Sequence, residues 1–316
     1  MLPNFFGKLI LLGLATAIVG CSPPTDPPPS PEAEASPPAA TEPTGEAIVL
    51  ADVSKNAGQK IRQFQPMADY LAKNLGAYEI GIGQVKVAPD LSTIATMLKN
   101  GEVDIYFDSP YPAMRVSDES GAEPILRRWK GGNAEYFGVI FIRKDSDIKS
   151  VEDLPGRTIA FEEAVSTSGY FLPLNYLLDI GLNPVPKGSP LDSVAEDEVG
   201  YVFSNDDENT IQWVISGNVD AGAADLPTFM AIPEESRSAL KILAETEKIA
   251  RHLVLVRRGM DPELVEGIKT VLMDMDKTPE GQAVLESFEK TAKFDAFPPQ
   301  ADLNRMRELY DRVQNR

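Results

Sequence analysis

From Ile48 onward, short apolar runs alternate with segments in which apolar residues recur at helical spacing. The short runs predict strands, and the helical spacing predicts amphipathic helices. Alternation of the two is typical of an α/β layer architecture. The first strands are predicted at 48–53, 80–87 and 103–107, and the helices between them present Pro66, Met67, Tyr70, Leu71 and Leu75, and then Leu91, Ile94, Met97 and Leu98.

A short repeat indicates two similar lobes. The segment Asn-Gly-Glu-Val-Asp at 100–104 is echoed by Ser-Gly-Asn-Val-Asp at 216–220, and each follows a predicted helix and opens a predicted strand. The first copy continues to Asp108, Ser109 and Pro110, and the second to Asp225, Leu226 and Pro227. So short a match can also arise by chance. If the repeat is structural, both strand ends face one crevice, because ligands of open α/β sheets bind beyond the carboxyl ends of the strands.

Two later apolar runs, 136–143 and 253–256, fit strands that cross between the lobes. The first is apolar almost throughout, as expected of a strand buried on both faces. Helices such as the one predicted at 262–275 would then return to the first lobe. We therefore predict a two-lobed α/β fold with two crossing strands as its hinge, in which each lobe is a mixed sheet flanked by helices, lobe 1 contains 46–144 and 247–316, and lobe 2 contains 145–246.

The N-terminal segment differs from the rest of the chain. Lys8 precedes an apolar run at 9–20 that ends at Cys21. A span of the bilayer needs about 20 apolar residues, so this shorter run is interpreted as a cleaved export signal, residues 1–20. Ile18-Val19-Gly20-Cys21 resembles a bacterial lipobox, which predicts lipidation of Cys21; a non-lipidated signal with an incidental cysteine is the alternative. The proline-rich segment 21–45 is predicted to be an extended tether.

Composition excludes several classes of protein. The 316-residue chain has 43% hydrophobic and 25% charged residues, which is ordinary for a globular protein. One cysteine and one histidine cannot form a disulfide framework or a Cys/His metal cluster, and no metal or cofactor is expected. A net charge of -18 argues against nucleic acid and anionic membrane surfaces as partners. A small anion remains possible, since charges beyond about 8 Å are largely screened.

The strongest local signal is Ser166-Thr167-Ser168-Gly169-Tyr170, between a predicted strand at 157–161 and a predicted helix. Hydroxyl side chains at a helix start lie beside unpaired backbone N–H groups and the positive end of the helix dipole, which together favour an anion. Ordinary helix capping by serine and threonine is the alternative. Pro173 falls within this helix and predicts a kinked or offset first turn.

Further candidates lie at other helix starts and strand ends. Asp207 belongs to an acidic run before a predicted helix, and Asp225 ends the second repeat copy; either carboxylate is suited to accept a hydrogen bond from a protonated oxyanion or a ligand amine, or simply to cap a helix. Ser109 and Tyr111 follow the first repeat copy and are candidate donors to an anion, although a rigid surface turn explains them equally well. Tyr136, at the start of a crossing strand, is a weaker candidate.

Evidence for catalysis is sparse. Ser146 and Lys149 match the spacing of serine–lysine enzymes, but no supporting motif accompanies them. His252 precedes a predicted buried strand and is interpreted as structural. We expect no enzyme, no catalytic residues and no nucleotide-binding loop of the common kinds. A hydrolase that uses paired carboxylates is the remaining enzymatic alternative.

From about residue 48 to 300, the chain resembles the phosphate, phosphite and phosphonate type of periplasmic binding protein of ABC transporters. The resemblance implies a type II two-lobed fold that holds ligand oxygens at helix N-termini. Members that bind phosphonates often have a histidine near the position of Asp207, where this chain is acidic. Through residues 106–111 and 206–210 the chain looks closer to a branch whose members include arsenite sensors. Those sensors coordinate arsenic through a pocket cysteine, and the only cysteine here is Cys21. The matching residues are Phe64, Pro66, Tyr70, Leu71, 101–104, 153–156, 166–170, Pro173 and 217–222.

The resemblance implies an extracytoplasmic lipoprotein that captures a small phosphorus oxyanion for an ABC permease. In that role Ser166, Thr167 and Ser168 would hold the oxygens, and Ser109 and Tyr111 would close from the other lobe. Asp207 or Asp225 would discriminate protonation state or substituent. A sensory protein whose partner is a membrane histidine kinase is the alternative. A monomer suits a shuttling role.

Overall fold

The computed structural model describes residues 45–298 and 303–316. The predicted signal, Cys21 and all but the last residue of the predicted tether lie outside these ranges. Within them, no helix has the length and apolar character needed to cross a bilayer.

Strands and helices alternate along most of the described chain. The strands are β1 Glu46–Val53, β2 Ile80–Ala88, β3 Ile105–Asp108, β4 Glu123–Arg128, β5 Glu135–Tyr136, β6 Gly138–Arg143, β7 Thr158–Phe161, β8 Pro184–Pro186, β9 Val199–Phe203, β10 Ala221–Asp225, β11 Leu240–Glu245, β12 Ile249–Ala250, β13 His252–Val256 and β14 Phe294–Asp295. The helices are α1 Ala57–Asn74, α2 Leu91–Lys99, α3 Pro110–Ser120, α4 Leu172–Asp179, α5 Asp207–Ser216, α6 Leu226–Ala231, α7 Glu234–Arg237, α8 Pro262–Asp274, α9 Pro279–Ser287 and α10 Leu303–Gln314.

The strands form two six-stranded mixed sheets. The first has the order β14-β4-β13-β3-β1-β2 and defines lobe 1, and the second has the order β11-β6-β10-β7-β9-β8 and defines lobe 2. In each sheet, parallel strands with helical crossovers lie beside antiparallel strands. The predicted two-lobed α/β fold with mixed sheets is confirmed.

The repeat is structural, because both copies form the same joint. In lobe 1, the Asp104 N–H donates to the Val49 carbonyl at 2.9 Å, while the Val49 N–H donates to the Asp104 carboxylate at 2.9 Å. In lobe 2, Asp220 and Thr158 form the same pair of bonds, also at 2.9 Å. Gly101 and Gly217 precede them with φ of 74°, a left-handed conformation that glycine adopts without a steric penalty. Each joint lies at the start of a strand, β3 or β10, whose carboxyl end faces the space between the lobes.

The crossing between lobes differs in detail from the prediction. The short strands β5 and β12 pair with each other in a separate two-stranded sheet. The strand β6, which the predicted boundary at residue 144 assigned to lobe 1, is hydrogen-bonded in the lobe 2 sheet between β10 and β11. Only the first residues of the predicted crossing strand at 136–143 lie between the sheets, because Gly138 already begins the antiparallel ladder with β10.

The C-terminal helix α10 contacts both lobes. Its residues Met306, Leu309 and Tyr310 are buried in a core cluster that contains residues of both sheets. Arg307 forms an ion pair with Asp118 on α3 of lobe 1, at 3.5 Å, and Arg305 forms one with Asp179 on α4 of lobe 2, at 3.3 Å. The helix therefore joins the lobes outside the hinge.

Candidate functional site

The candidate site is a cavity of about 340 Å³ between the two sheets. Residues from β3, β10, the hinge strands and the starts of α4 and α5 contribute to its wall, so the carboxyl ends of both repeat strands face it, as predicted. The lining residues are Asp108, Ser109, Lys130, Tyr136, Glu162, Glu163, Val165, Ser166, Thr167, Ser168, Asp207, Asp225, Thr228, Arg251 and His252.

Hydroxyl groups from both lobes meet at one wall of the cavity. The Thr167 hydroxyl donates to Oγ of Ser109 at 3.0 Å and accepts the backbone N–H of Tyr111 at 3.0 Å. The Tyr136 hydroxyl is within hydrogen-bonding reach of both Thr167 and Ser109, and burial raises its pKa to about 12. Because its proton is retained at physiological pH, Tyr136 can donate a hydrogen bond to an anion. This wall therefore brings together hydroxyl groups from two lobes and the hinge, of which Ser109 and Tyr136 can donate to a ligand while Thr167 donates to Ser109.

The serine-rich segment divides its tasks. Oγ of Ser166 accepts the Gly169 N–H at 2.9 Å, so Ser166 is the helix cap that the alternative interpretation predicted. The next turn, Thr167–Phe171, is π-helical, and this opening agrees with the offset predicted from Pro173. Proline has no N–H, so the Gly169 carbonyl is left to accept the N–H of Glu162 at 3.2 Å. Ser168 lines the cavity, and among the described residues no hydrogen bond of its hydroxyl is recorded.

A close backbone contact fixes the position of this turn. A Cβ added to Gly138 would lie 2.4 Å from the Ser168 carbonyl oxygen, so β6 reaches the π-helical turn only because residue 138 has no side chain. The strand ladder thus sets the depth at which the Ser168 backbone faces the cavity.

The acidic run before α5 also divides its tasks. Asp206 is the helix cap, since its carboxylate accepts the N–H groups of Glu208 at 2.7 Å and Asn209 at 3.4 Å. Asp207 is thereby free of capping, and its side chain lines the cavity. Burial, together with the carboxylates of Glu162 and Asp225, raises the pKa of Asp207 to about 7. Near neutral pH this residue can therefore present either a carboxyl proton or a carboxylate to a ligand.

Substitution of Asp207 by asparagine should change the pH dependence of stability. A carboxyl group whose folded-state pKa is raised from 3.8 to about 7 favours folding below the lower value, and that contribution is lost as the pH rises to the higher one. We therefore expect Asp207→Asn to be more stable than the wild type by about 1 kcal/mol at pH 8, after allowance for solvent screening, and to show a smaller difference at pH 5. Urea denaturation at the two pH values measures this, and an equal difference at both would contradict the assignment.

Asp225 combines capping with a place in the cavity. Its Oδ1 accepts the Thr228 N–H at 2.6 Å at the start of α6, and its Oδ2 lies 3.8 Å from the Arg251 guanidinium. Arg251 stacks on the Tyr136 ring at 4.2 Å, which places a cation at the hinge side of the cavity. Asp225 therefore caps α6 and also contributes a carboxylate to the cavity wall, so its position fits both interpretations.

Tyr111 does not lie where a ligand donor would. Its ring stacks on Phe171 at a centroid distance of 4.5 Å, and its hydroxyl lies 3.4 Å from the Gln314 amide on α10. It does not line the cavity, so the predicted closure by its hydroxyl does not match its placement. The backbone N–H of Tyr111 reaches Thr167 instead, and the side chain packs the lobes together.

The sequence interpretation missed much of the charged wall. Asp108 ends the first repeat strand at the place where Asp225 ends the second, so the repeat itself could have identified it. Burial raises the pKa of Asp108 to about 6, although hydrogen bonds from Tyr106 and the Ser109 N–H favour its ionised form. No sequence pattern marks Lys130 or Arg251, which flank the hinge strands. His252, interpreted as structural, is buried and also lines the cavity.

A two-lobed fold with a polar cavity at two helix starts agrees with a comparison against known families. Residues 53–302 match the model of the ABC transporter, phosphonate, periplasmic substrate-binding protein. The chain belongs to this family. It is thus a periplasmic substrate-binding protein, and its family implies a small-molecule ligand and a permease partner.

Named relatives and solved structures are consistent with this membership. The chain is 26% identical over 236 residues to the phosphate-import protein PhnD of Mycolicibacterium smegmatis, covering 72% of this chain and 71% of that protein. The XAC2383 protein of Xanthomonas citri, solved with ATP, has a TM-score of 0.76 and 28% identity, with 85% of this chain and 97% of that chain covered. PhnD1 of Prochlorococcus marinus, solved with methylphosphonate, shares the fold at a TM-score of 0.60 and 16% identity, with 85% and 98% covered.

Proposed function

We propose that this protein captures a small phosphorus oxyanion, namely phosphate, phosphite or a phosphonate, and delivers it to an ABC permease. The observation that carries the proposal is the hydroxyl wall formed by Ser109, Thr167 and Tyr136 from both lobes and the hinge. A ligand that binds there touches both lobes at once, so its binding free energy favours the closed arrangement that a permease can recognise.

The carboxylates of the cavity restrict which oxyanion fits. Glu162, Asp207 and Asp225 line the same space as the hydroxyl groups, and a fully ionised anion has no proton to offer them. A protonated oxyanion, or a phosphonate with an amino group, can donate to such carboxylates. Asp207 is the residue best suited to this discrimination, because its raised pKa lets it change charge near neutral pH.

Isothermal titration of the purified protein, freed of bound ligand, tests the proposal. We expect micromolar or tighter binding of one member of a panel of phosphate, phosphite, methylphosphonate and aminoethylphosphonate, with sulfate and arsenite as comparison anions. The combined substitution Thr167→Ala and Ser168→Ala should weaken that binding by about 30-fold, because it removes the Ser168 hydroxyl and the Thr167 hydroxyl that orients Ser109, each worth about 1 kcal/mol.

The control for this double variant is Ser287→Ala, which removes an exposed hydroxyl on α9 whose hydrogen bond goes to the Val284 carbonyl. It should bind as the wild type does. Unchanged affinity in the double variant would refute the assigned wall, and silence of the wild type across the panel would refute the oxyanion assignment.

A nucleotide is a second candidate ligand, favoured by a groove beside the cavity. The groove has a volume of about 670 Å³ and shares Asp108, Ser109, Glu163 and Val165 with the cavity wall. Lys55 and Arg115 also line it, which would suit further phosphate groups. The ATP bound to the Xanthomonas citri protein motivates the inclusion of ATP and AMP in the panel. Tighter binding of a nucleotide than of every small oxyanion would favour this candidate.

We further propose that Cys21 is lipidated after removal of residues 1–20, that residues 21–45 tether the body to a membrane, and that the body acts as a monomer. Metabolic labelling with a fatty-acid analogue, lost in Cys21→Ser, tests the anchor. Co-purification with a permease or with a membrane histidine kinase separates transport from the sensory alternative.

A further inference from the structure

A partly buried ionic cluster lies in lobe 1 next to the cavity. The Glu289 carboxylate contacts three cations: Lys60 at 2.9 Å, Arg128 at 3.0 Å and Lys130 at 3.2 Å. Lys60 also contacts Asp52 at 2.8 Å. The cluster therefore contains three cations and two carboxylates, and it carries one uncompensated positive charge.

That surplus charge faces the cavity through one member of the cluster. Lys130 lines the cavity, whereas the other four members do not. Among the described residues, Arg251 is the other cationic residue that lines the cavity, and its guanidinium lies 3.8 Å from the Asp225 carboxylate. Lys130 instead shares Glu289 with two other cations. Of the two lining cations, Lys130 therefore has the smaller share of an ion-paired carboxylate, and Asp108 is the lining carboxylate with which it also interacts.

The backbone around the cluster is held in an unusual conformation. Glu289 and the residue after it have φ of 53° and 52°, a left-handed conformation that costs free energy in residues other than glycine. The turn is kept in place by Arg128, which is fully buried, donates to the Phe288 carbonyl at 2.9 Å and packs over the Phe288 ring at 4.0 Å. The strained turn thus holds the Glu289 carboxylate where it can position Lys130.

His252 adds a second polar group at this end of the cavity. It is paired directly opposite Arg128 between β13 and β4. It is only 5% exposed and lines the cavity, and its Nδ1 has no hydrogen-bond partner among the described residues. Burial and the nearby cations Lys130 and Arg128 lower its pKa, so the ring is neutral at physiological pH. A neutral imidazole can donate one hydrogen bond to an anion without adding charge.

We propose that Lys130 and His252 bind the oxyanion from the lobe 1 side of the cavity and that Glu289 is the positioning residue for Lys130. This rests on the proposed oxyanion function and adds to it the cation that neutralises the ligand. The protein thereby recognises the negative charge of the ligand in lobe 1, in addition to the hydroxyl donors described above.

Titration of Lys130 variants with the panel member that the wild type binds tests the inference. We expect Lys130→Gln to weaken binding about 10- to 30-fold, in the range for loss of a hydrogen bond to a charged group. Lys130→Arg, which keeps the charge, should bind within about threefold of the wild type. His252→Gln should show a smaller loss, of about fivefold.

The matched control is Lys293→Gln. The Lys293 ammonium lies 4.2 Å from the ring centroid of Trp129, the residue that precedes Lys130. Lys293 does not line the cavity. It should leave affinity within about twofold. Wild-type affinity in Lys130→Gln would overturn the inference while leaving the oxyanion function intact, as would a loss that Lys130→Arg fails to restore. Binding of no panel member by the wild type would overturn both.

Discussion

Glu289→Gln should lower the free energy of unfolding by about 3–5 kcal/mol, because the substitution leaves the buried Arg128 guanidinium without its counter-charge. The Arg128 side chain is fully buried and depends on Glu289 for its ion pair at 3.0 Å. Burial alone would raise the pKa of Glu289, but Lys130, Arg128 and Lys60 outweigh it and lower the pKa below its usual value. The stabilisation is therefore present above about pH 4.5 and is lost only as the pH falls toward the lowered pKa.

Urea denaturation at pH 7 measures this effect, with Glu280→Gln as the matched control. Glu280 pairs with Lys73 at 2.7 Å, but both side chains are more than half exposed, and such pairs contribute at most about 1 kcal/mol. Equal small losses in the two variants would show that the Glu289 cluster is solvated and has no special role.

Gly138→Ala should reduce ligand affinity about 100-fold and destabilise the protein by about 1–3 kcal/mol. The added methyl group would meet the Ser168 carbonyl at 2.4 Å, so either β6 or the π-helical turn must shift by a sizeable fraction of an ångström. The strand is held by ladders with β10 and β11 on both sides, and the turn is the weaker of the two. We therefore expect the turn, and with it Thr167 and Ser168, to move.

Titration and thermal denaturation of the same variant separate the two effects. Gly76→Ala is the control, because a Cβ at Gly76 would meet no atom within 4 Å. Wild-type affinity in Gly138→Ala would mean that the turn tolerates displacement, and that the close approach of β6 does not determine the geometry of the oxyanion wall.

The fold could be predicted well where the apolar residues of a segment are the ones that the segment buries. β1, β2 and α2 were predicted within a few residues, since each has one apolar face or an uninterrupted apolar run. For α1 the apolar face was predicted only from Pro66 to Leu75, whereas the helix begins at Ala57. The strand β9, Val199–Phe203, in the interior of the lobe 2 sheet, was not predicted. It is a short run between polar loops, and it forms a strand because it pairs with β7, which only the folded chain brings beside it.

The candidate site was predicted where residues are adjacent in sequence and missed where they are adjacent only in space. Thr167, Ser168, Asp207 and Asp225 belong to helix starts, which a sequence can reveal. Tyr111 was predicted to donate to the ligand, but its ring stacks on Phe171 of the other lobe instead. Lys130 begins a short 3-10 turn after β4 and His252 begins β13, and no local spacing connects them.

The paired joints at Asp104 and Asp220 also bear on ancestry. Each combines a left-handed glycine with an aspartate that bonds the neighbouring strand through both its backbone and its side chain. Substitution at these positions meets a steric penalty at the glycine and leaves an unpaired strand N–H at the aspartate, so we expect them to tolerate substitution less well than the surface around them. Two such joints in one chain are what duplication of a single α/β unit would leave behind after the rest of the two copies had diverged.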